Sequence, residues 1–411
     1  MFEKEVVLDA RAGQQMHLSS ARHGSCRKML GALAASAAFM AGAFGLPAAH
    51  AAGKAPKFEV LYTFTGFNDG GWPGGNLVAD KTGNLYGMTS VGGPNGAGTV
   101  FKLAPDGTKT NIYQFNGVDG NLPMSGLLRG SDGSLYGVTE VGGQNGAGNL
   151  FKLAPDGVFT SLYDFGATNV DGGNPICQLI WGPNDELMGT TVNGGTNHFG
   201  TVFKVTLDGK ATILHNFTGA DGRYPAAGLV MDAAGNVYGT TSNAGGGSSG
   251  TIFKIDASGV FSVLHTLDNA SGFFSHAALT LDAAGNLYGT AGAGGATGNG
   301  TVFKLTPAGV FRVLYSFTGG ADGSEPEAPV FLDKQGNLLG TTNWGGYQYN
   351  GTVFSLAPDG TLTTLYSFDG ATGSYSRAGL VRDPAAGVLW FYGTANAGGG
   401  TGNGTIFRVR K

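Results

Sequence analysis

The sequence predicts an all-β protein, a seven-bladed β-propeller built of four-stranded antiparallel blades. Three observations predict this fold. A unit of about 50 residues occurs seven times, each unit holds four short apolar runs, and the two ends of the chain complement each other. A fixed period of this length is typical of solenoids, propellers and other arrays of stacked units.

The period is marked by a glycine that closes an Asn-Leu-Tyr type of segment, as in Gly83–Gly87. The marking glycines lie at positions 87, 137, 189, 239, 289, 340 and 393. Successive units are therefore spaced by 50, 52, 50, 50, 51 and 53 residues. This regularity predicts that each unit is one structural module.

The unit at residues 75–115 shows what such a module contains. Turn residues, among them Pro105 and Gly107, separate four apolar runs, which are residues 75–80, 84–90, 98–103 and 111–115. Short β-rich runs between turns predict an antiparallel meander with strands of about four to seven residues. Because a four-stranded sheet cannot bury both faces alone, we expect the copies to stack around an axis.

The two ends of the chain predict how the ring closes. Residues 58–64 match the fourth run of a unit, whereas the chain ends at 404–411 on a third run. The N-terminal strand is therefore expected to complete the last blade, which removes the exposed edges of an open array. An open β-solenoid is the alternative, but its coils are usually shorter than this unit.

A secretory signal peptide is predicted over residues 1–51. Basic residues between 22 and 28 precede the apolar segment 29–46, and Ala49-His50-Ala51 is an A-x-A cleavage site. Translation from Met16 would remove an acidic extension, and an uncleaved membrane anchor is the alternative reading of the segment. We predict a single propeller domain over 52–411, secreted or periplasmic and not membrane-bound after cleavage.

Composition excludes several classes of function. Only 13% of the residues are charged and the net charge is −4, so no basic surface for nucleic acid or membranes is expected. No P-loop, HExxH or CxxC motif occurs, and neither a cofactor nor a metal is predicted. Cys26 lies in the signal and Cys177 stands alone, so no internal disulfide is expected. We predict a monomer.

Long loops on one face are the expected place for a site, because alternate connections of each unit are long and rich in glycine. The connection from the fourth run to the next first run carries an Asp-Gly-x-x-Pro core in five copies, which are Asp69–Pro73, Asp119–Pro123, Asp171–Pro175, Asp221–Pro225 and Asp322–Pro326. We expect each aspartate to cap its own turn. A ring of cation-binding carboxylates is the alternative, but one oxygen donor per blade is too dispersed.

Aromatic residues on these loops are the candidate ligand contacts. The residue before the proline position varies between copies, as Trp72, Leu122, Asn174, Tyr224, Phe274, Glu325 and Tyr375. Another loop, in the sixth unit, carries Trp344, Tyr347 and Tyr349. The seven aromatic residues would stack on sugar rings or on apolar groups of a partner. Alternatively, they fold back as small local cores.

Catalytic candidates are few. His215 and His265 replace a repeated tyrosine and are expected to be structural, whereas His198 and His276 interrupt the repeat in the loops. His198, His276 or Tyr347 would be the base of an enzyme, and Glu325 with Glu327 would supply the paired carboxylates of a glycosidase.

The segments NLYGTT, GTVFK-L-x-P-x-G and LYxFTG resemble the GloVer tandem repeat of exported bacterial proteins. The resemblance covers essentially the whole mature chain. It implies export and repetition, but it brings no established activity and no catalytic residues. Members often carry C-terminal sorting anchors, whereas this sequence stops at Arg408–Lys411 without an apolar tail, which favours a soluble product.

Three functions are compatible with these features. The leading hypothesis is an exported, non-enzymatic propeller that binds a polysaccharide or an envelope protein on its long-loop face. The second is a polysaccharide lyase or glycosidase, which rests on fold analogy alone. The third is a structural scaffold of the cell envelope.

Overall fold

The computed structural model describes residues 57–168, 170–244, 249–384 and 389–411. The predicted signal peptide, the alternative start at Met16 and Cys26 lie outside the described residues.

Within the described ranges the chain forms seven antiparallel sheets of four strands each, the predicted blades, with two short 3-10 turns at Phe67–Asp69 and Pro183–Asp185. Numbered in chain order, the strands are β1 (Lys57–Thr63) in blade VII; β2 (Val78–Ala79), β3 (Leu85–Thr89), β4 (Thr99–Leu103) and β5 (Lys109–Gln114) in blade I; β6 (Leu128–Arg129), β7 (Leu135–Thr139), β8 (Asn149–Leu153) and β9 (Phe159–Asp164) in blade II; β10 (Ile180–Trp181), β11 (Leu187–Thr191), β12 (Thr201–Val205) and β13 (Ala211–Asn216) in blade III; β14 (Val230–Met231), β15 (Val237–Thr240), β16 (Thr251–Ile255) and β17 (Phe261–Thr266) in blade IV; β18 (Thr280–Leu281), β19 (Leu287–Ala291), β20 (Thr301–Leu305) and β21 (Phe311–Ser316) in blade V; β22 (Phe331–Leu332), β23 (Leu338–Thr342), β24 (Thr352–Leu356) and β25 (Leu362–Ser367) in blade VI; and β26 (Val381–Arg382), β27 (Trp390–Ala395) and β28 (Thr405–Arg410) in blade VII.

The ring closes through the N-terminal strand, as the sequence predicts. The order of blade VII is β1-β28-β27-β26, and β1 pairs antiparallel with β28 from Lys57 opposite Arg410 to Thr63 opposite Thr405. The Arg408 guanidinium donates through Nε to Glu59 at 2.7 Å across this pair. Residues from opposite ends of the chain thus share one sheet, so β28, the third strand of blade VII, is paired on both sides as in the other blades.

The glycine that marks each repeat is required by the core of its blade. In blade V a Cβ on Gly289 would lie 2.4 Å from Cζ of Phe303 and 2.8 Å from Leu279, closer than real side chains allow. The phenylalanine is on the third strand and is fully buried, and every blade repeats this arrangement, with Phe101, Phe151, Phe203, Phe253, Phe303, Phe354 and Phe407. The repeat glycine therefore makes room for an aromatic ring.

Neighbouring blades are joined by a second set of buried rings. Phe115, at the end of the fourth strand of blade I, packs edge to face on Phe151 of blade II, with centroids 5.4 Å apart. The same contact recurs at other junctions, in the pairs Phe64–Phe101, Phe165–Phe203, Phe217–Phe253, Phe317–Phe354 and Phe368–Phe407. Leu267 takes the place of the phenylalanine between blades IV and V. The core is thus a ring of interfaces between blades.

The first strand of each blade is shorter than predicted, with only two residues in every case. The backbone before it is used for contacts between blades instead. Thr190 of blade III donates its hydroxyl to the carbonyl of Ala227 at 2.9 Å, and Thr290 donates to Ala328 at 3.1 Å. Because these carbonyls face the preceding blade, they cannot pair within their own sheet. The expected length of four to seven residues is therefore wrong for the first strand.

Substitution of the repeat glycine tests this packing. We expect Gly289→Ala to destabilise the protein by about 1–3 kcal/mol, since the new methyl group overpacks the site against Phe303. Gly320→Ala is the control, because its Cβ would meet no atom closer than 3.4 Å. Urea unfolding followed by intrinsic fluorescence measures both variants. Equal midpoints for the two variants would contradict the packing explanation.

Candidate functional site

The long connections of the blades lie on one face of the ring. In blade I, five-residue connections join the first strand to the second and the third to the fourth, whereas residues 90–98 join β3 to β4 and 115–127 lead from β5 into blade II. Successive connections of a meander emerge on opposite sides, so the predicted long-loop face is present.

The aspartates of the Asp-Gly-x-x-Pro core cap their own loops, as expected. Asp119 accepts the hydroxyl of Tyr113 at 2.6 Å and the backbone N–H of Asn116 at 2.8 Å. The other copies pair Tyr62 with Asp69, Tyr163 with Asp171, Tyr315 with Asp322 and His215 with Asp221. His215 therefore keeps the contact of the tyrosine that it replaces. Across the described ranges, no group of three His, Cys, Asp or Glu side chains could hold a metal ion.

The variable residue before the proline position has the same left-handed backbone in all seven copies, with φ between 53° and 58°. Such a conformation is unfavourable for residues with a side chain. Tyr224 shows what holds it: its N–H donates to Phe199 of the preceding blade at 2.9 Å, and its carbonyl accepts from Ser242 at 3.2 Å. This backbone joins the loops of two blades, so the side chain varies without altering the junction.

The residue two positions further along lines a common cavity. Every blade contributes one such residue, which are Gly74, Met124, Ile176, Ala226, His276, Glu327 and Arg377. Because all seven copies of one repeat position surround the same cavity of about 330 Å³, the cavity must lie on the ring axis. We call it the axial pocket. It opens on the long-loop face, since these residues follow directly after the loops.

A carboxylate, a guanidinium and an imidazole from consecutive blades meet on one side of the axial pocket. Oε1 of Glu327 lies 3.4 Å from Nδ1 of His276, and Oε2 lies 3.0 Å from Nε of Arg377. Burial alone would raise the pKa of the Glu327 carboxyl, but the hydrogen bond with His276 and the charge of Arg377 outweigh it and lower the pKa. Glu327 is therefore ionised at neutral pH and orients two donors.

The rest of the axial pocket carries no charge among its described residues. Met124, Ile176 and Ala226 form an apolar side opposite the charged one. Deeper along the strands, Nδ2 of Asn76 donates to Oε1 of Gln178 at 2.6 Å, which joins blades I and III across the axis. The pocket thus combines an apolar wall, an amide floor and a charged wall.

A shallow groove adjoins the axial pocket. This aromatic groove, with a volume of about 360 Å³, is lined by Ile176, Val192, Tyr224, Ala226, Ser242, Asn243, Phe274 and His276. Ile176, Ala226 and His276 line both cavities, so the groove and the pocket are continuous. The ring of Phe274 lies nearly parallel to His276 at 6.2 Å. Two of the predicted aromatic contacts, Tyr224 and Phe274, therefore flank a predicted catalytic candidate.

The other predicted site residues line neither cavity. Trp344 and Tyr375 pack edge to face at 4.5 Å, which is the local contact expected of a small loop core. Tyr347 and Tyr349 project into solvent with 81% and 69% of their surface exposed. Two further candidates are separate: Trp72, half-exposed at the junction of blades VII and I, and His198, on a loop of blade III.

Sequence reasoning missed the role of Arg377 and of the amide pair in the pocket floor. Only a comparison of the seven residues that follow the proline position would have singled out Arg377, because nothing in its local sequence is unusual. The predicted pair of carboxylates is split. Glu327 lies in the axial pocket, whereas Glu325 accepts a hydrogen bond from Asn343 at 3.3 Å and does not line it.

A model of the Gloeobacter/Verrucomicrobia repeat matches residues 48–180, 169–332 and 228–411, so the chain belongs to this repeat family, as the GloVer resemblance indicates. Comparison with curated proteins gave no match. Within the described ranges, no helix is long and apolar enough to cross a membrane.

Solved structures with the same fold include two versions of an extracellular domain from Bacteroides thetaiotaomicron, described as a candidate hybrid two-component system and a candidate one-component system. They show TM-scores of 0.56 and 0.53 at 11% and 12% identity, over 85% of this chain and 39% of theirs. A candidate 6-phosphogluconolactonase from Bacteroides fragilis has a TM-score of 0.50 at 16% identity, over 73% of this chain and 86% of its own. At these identities the likeness shows the fold alone.

The aspartate–tyrosine pairs predict how stability responds to alkaline pH. Burial, followed by the hydrogen bond to Asp171, raises the pKa of Tyr163 from 10.0 to about 12, and Tyr62 and Tyr315 behave alike. Their contribution to stability is complete below pH 10 and is lost as the pH rises towards 12. We expect the urea midpoint to fall in this window, and to fall less in Tyr163→Phe. An absorbance change near pH 10 in the folded wild-type protein that is missing from Tyr163→Phe would contradict this.

Proposed function

We propose that this member of the Gloeobacter/Verrucomicrobia repeat family is an exported carbohydrate-binding protein, with the axial pocket and the aromatic groove as its binding site. The observation that carries the proposal is the meeting of polar and aromatic groups at one continuous concavity. His276, Glu327 and Arg377 lie on the axis, and Tyr224 and Phe274 flank the adjoining groove. Export rests on the predicted signal sequence.

Sugar rings match both parts of this concavity. The C–H faces of a pyranose pack on aromatic and aliphatic side chains such as Phe274 and Ile176. Its hydroxyl groups need donors and acceptors, which Asn76, Gln178 and His276 supply. A pocket with mainly apolar walls and a few convergent polar groups is the usual form of a small-ligand site. A flat partner protein would make less use of a pocket on the axis, and the envelope scaffold requires no pocket.

Aromatic substitutions test the binding site. We expect Tyr224→Ala combined with Phe274→Ala to weaken the tightest glycan found on an array at least tenfold, since the groove loses both rings. Trp72→Ala is a matched control, because Trp72 has the same repeat position and a left-handed backbone but lines neither cavity. Glycan binding that survives the double substitution, or that is lost equally in Trp72→Ala, would contradict the proposed site.

A polysaccharide lyase is the second candidate, and the His276–Glu327 contact favours it over a glycosidase. Of the described residues that line the axial pocket, Glu327 is the only carboxylate, and it is ionised, whereas a glycosidase needs a second carboxylic group. In a lyase, His276 would remove the proton beside a uronate carboxyl group. The electron pair would form the ring double bond, the glycosidic C–O bond would break, and the leaving oxygen would take a proton from water.

Product absorbance distinguishes a lyase from a binding protein. If the protein is a lyase, uronic acid polymers will release unsaturated ends, and His276→Gln will slow the release by about 10²–10⁴-fold, the usual contribution of a general base. His198→Gln is the control, since His198 does not line the pocket. No unsaturated product from a broad panel of polymers, under conditions in which they bind, would eliminate the lyase.

A further inference from the structure

The axial pocket is asymmetric although its scaffold is not. At the rim position, blades I to IV carry Gly74, Met124, Ile176 and Ala226, whereas blades V to VII carry His276, Glu327 and Arg377. Seven equivalent backbone positions therefore produce one apolar side and one charged side. A ligand must enter in one orientation, with its charged or polar edge towards blades V to VII.

On the charged side of the axial pocket, the group that a ligand can reach most easily is the Arg377 guanidinium. Glu327 is held between its two neighbours with only 17% of its side chain exposed, whereas His276 and Arg377 expose 39% and 50%. The carboxylate is therefore paired inside the wall, and the half-exposed guanidinium of Arg377 faces the opening. Among the described residues that line the pocket, no second acid is present to repel an anion.

The geometry of Arg377 suits a carboxylate. Its contact with Glu327 is made through Nε, and the side chain remains half-exposed. A guanidinium that is anchored at one edge can present the other edge to two oxygens of a planar anion, which is the strongest form of this recognition. The amides of Asn76 and Gln178 lie below and carry no charge, so the anion is expected at the rim.

The aromatic groove sets the size of the ligand. It joins the axial pocket at His276, and the two cavities of about 330 and 360 Å³ are each near the lower end of the range for small-ligand sites. A ligand that places an anion at Arg377 can therefore extend across His276 to the ring of Phe274. An oligosaccharide fulfils this requirement, because its next ring offers an apolar face.

We propose that the site recognises an acidic oligosaccharide, whose uronate carboxyl group binds Arg377 while a neighbouring sugar ring passes His276 and packs in the aromatic groove. This inference rests on the proposed carbohydrate-binding function and adds the chemical class of the sugar. It requires binding only, and it holds whether or not the lyase reaction occurs.

Paired ligands test the inference. Oligosaccharides of galacturonate, glucuronate and mannuronate are compared with their methyl esters by calorimetry, since esterification removes the charge and keeps the backbone. We expect at least one acid to bind tenfold or more tightly than its ester, and the difference to vanish in Arg377→Gln. Arg382→Gln is the control, because Arg382 belongs to the same blade but lies outside the axial pocket.

Each of the other possible results contradicts one part of the proposal. Equal binding of acid and ester, or of acid and neutral oligosaccharides, overturns the acidic ligand and leaves carbohydrate binding intact. An acid preference that persists in Arg377→Gln overturns the role of Arg377. If a sulfated oligosaccharide without uronate outcompetes every uronate and depends on Arg377 in the same way, the group recognised by Arg377 is a sulfate and not a carboxylate. No binding of any saccharide overturns the proposed function itself.

Discussion

At six of the seven blade junctions, the phenylalanine of a third strand lies against the repeat glycine of its own blade and against an aromatic ring from the preceding blade. Phe151, for example, lies beside Gly137 and receives the edge of Phe115. The faces of the sheets are buried only through these contacts, so no blade is a complete core by itself. The position of every loop on the ligand face depends on this repeated packing.

Two further sets of contacts hold the long loops in equivalent positions around the ring. An aspartate paired with a tyrosine, or with His215, fixes five of the long loops to the fourth strand before them. The left-handed residue before the proline position joins each long loop to a neighbouring loop. The side chains of these residues hence change from copy to copy at little cost to the ring. A rigid scaffold with variable side chains is the arrangement in which binding sites commonly arise.

The charged side of the axial pocket does not follow the repeat. Glu327 is stable as a largely buried carboxylate because His276 and Arg377, from the two adjacent blades, both contact it. Without these two side chains it would be an unpaired charge near an apolar wall, which is costly. His276, Glu327 and Arg377 therefore belong to three consecutive units and do not recur in the other units. They make only one side of the axial pocket charged.

The sequence by itself determined the seven units, the four strands of each, the long-loop face and the closure by residues 58–64, because these follow from period, turn chemistry and the phase of the two ends. It also pointed to His276, Tyr224 and Phe274, as departures from the repeat. Only the tertiary structure decided that these residues share one concavity with Glu327 and Arg377, whereas Trp72, Tyr347 and His198 do not. The physical reason is distance along the chain: the pocket residues are about 50 positions apart, and no local pattern links them until packed phenylalanines bring one residue of every blade to the axis. The short first strands have the same origin, since their carbonyls bond to a neighbouring blade that the local sequence does not contain.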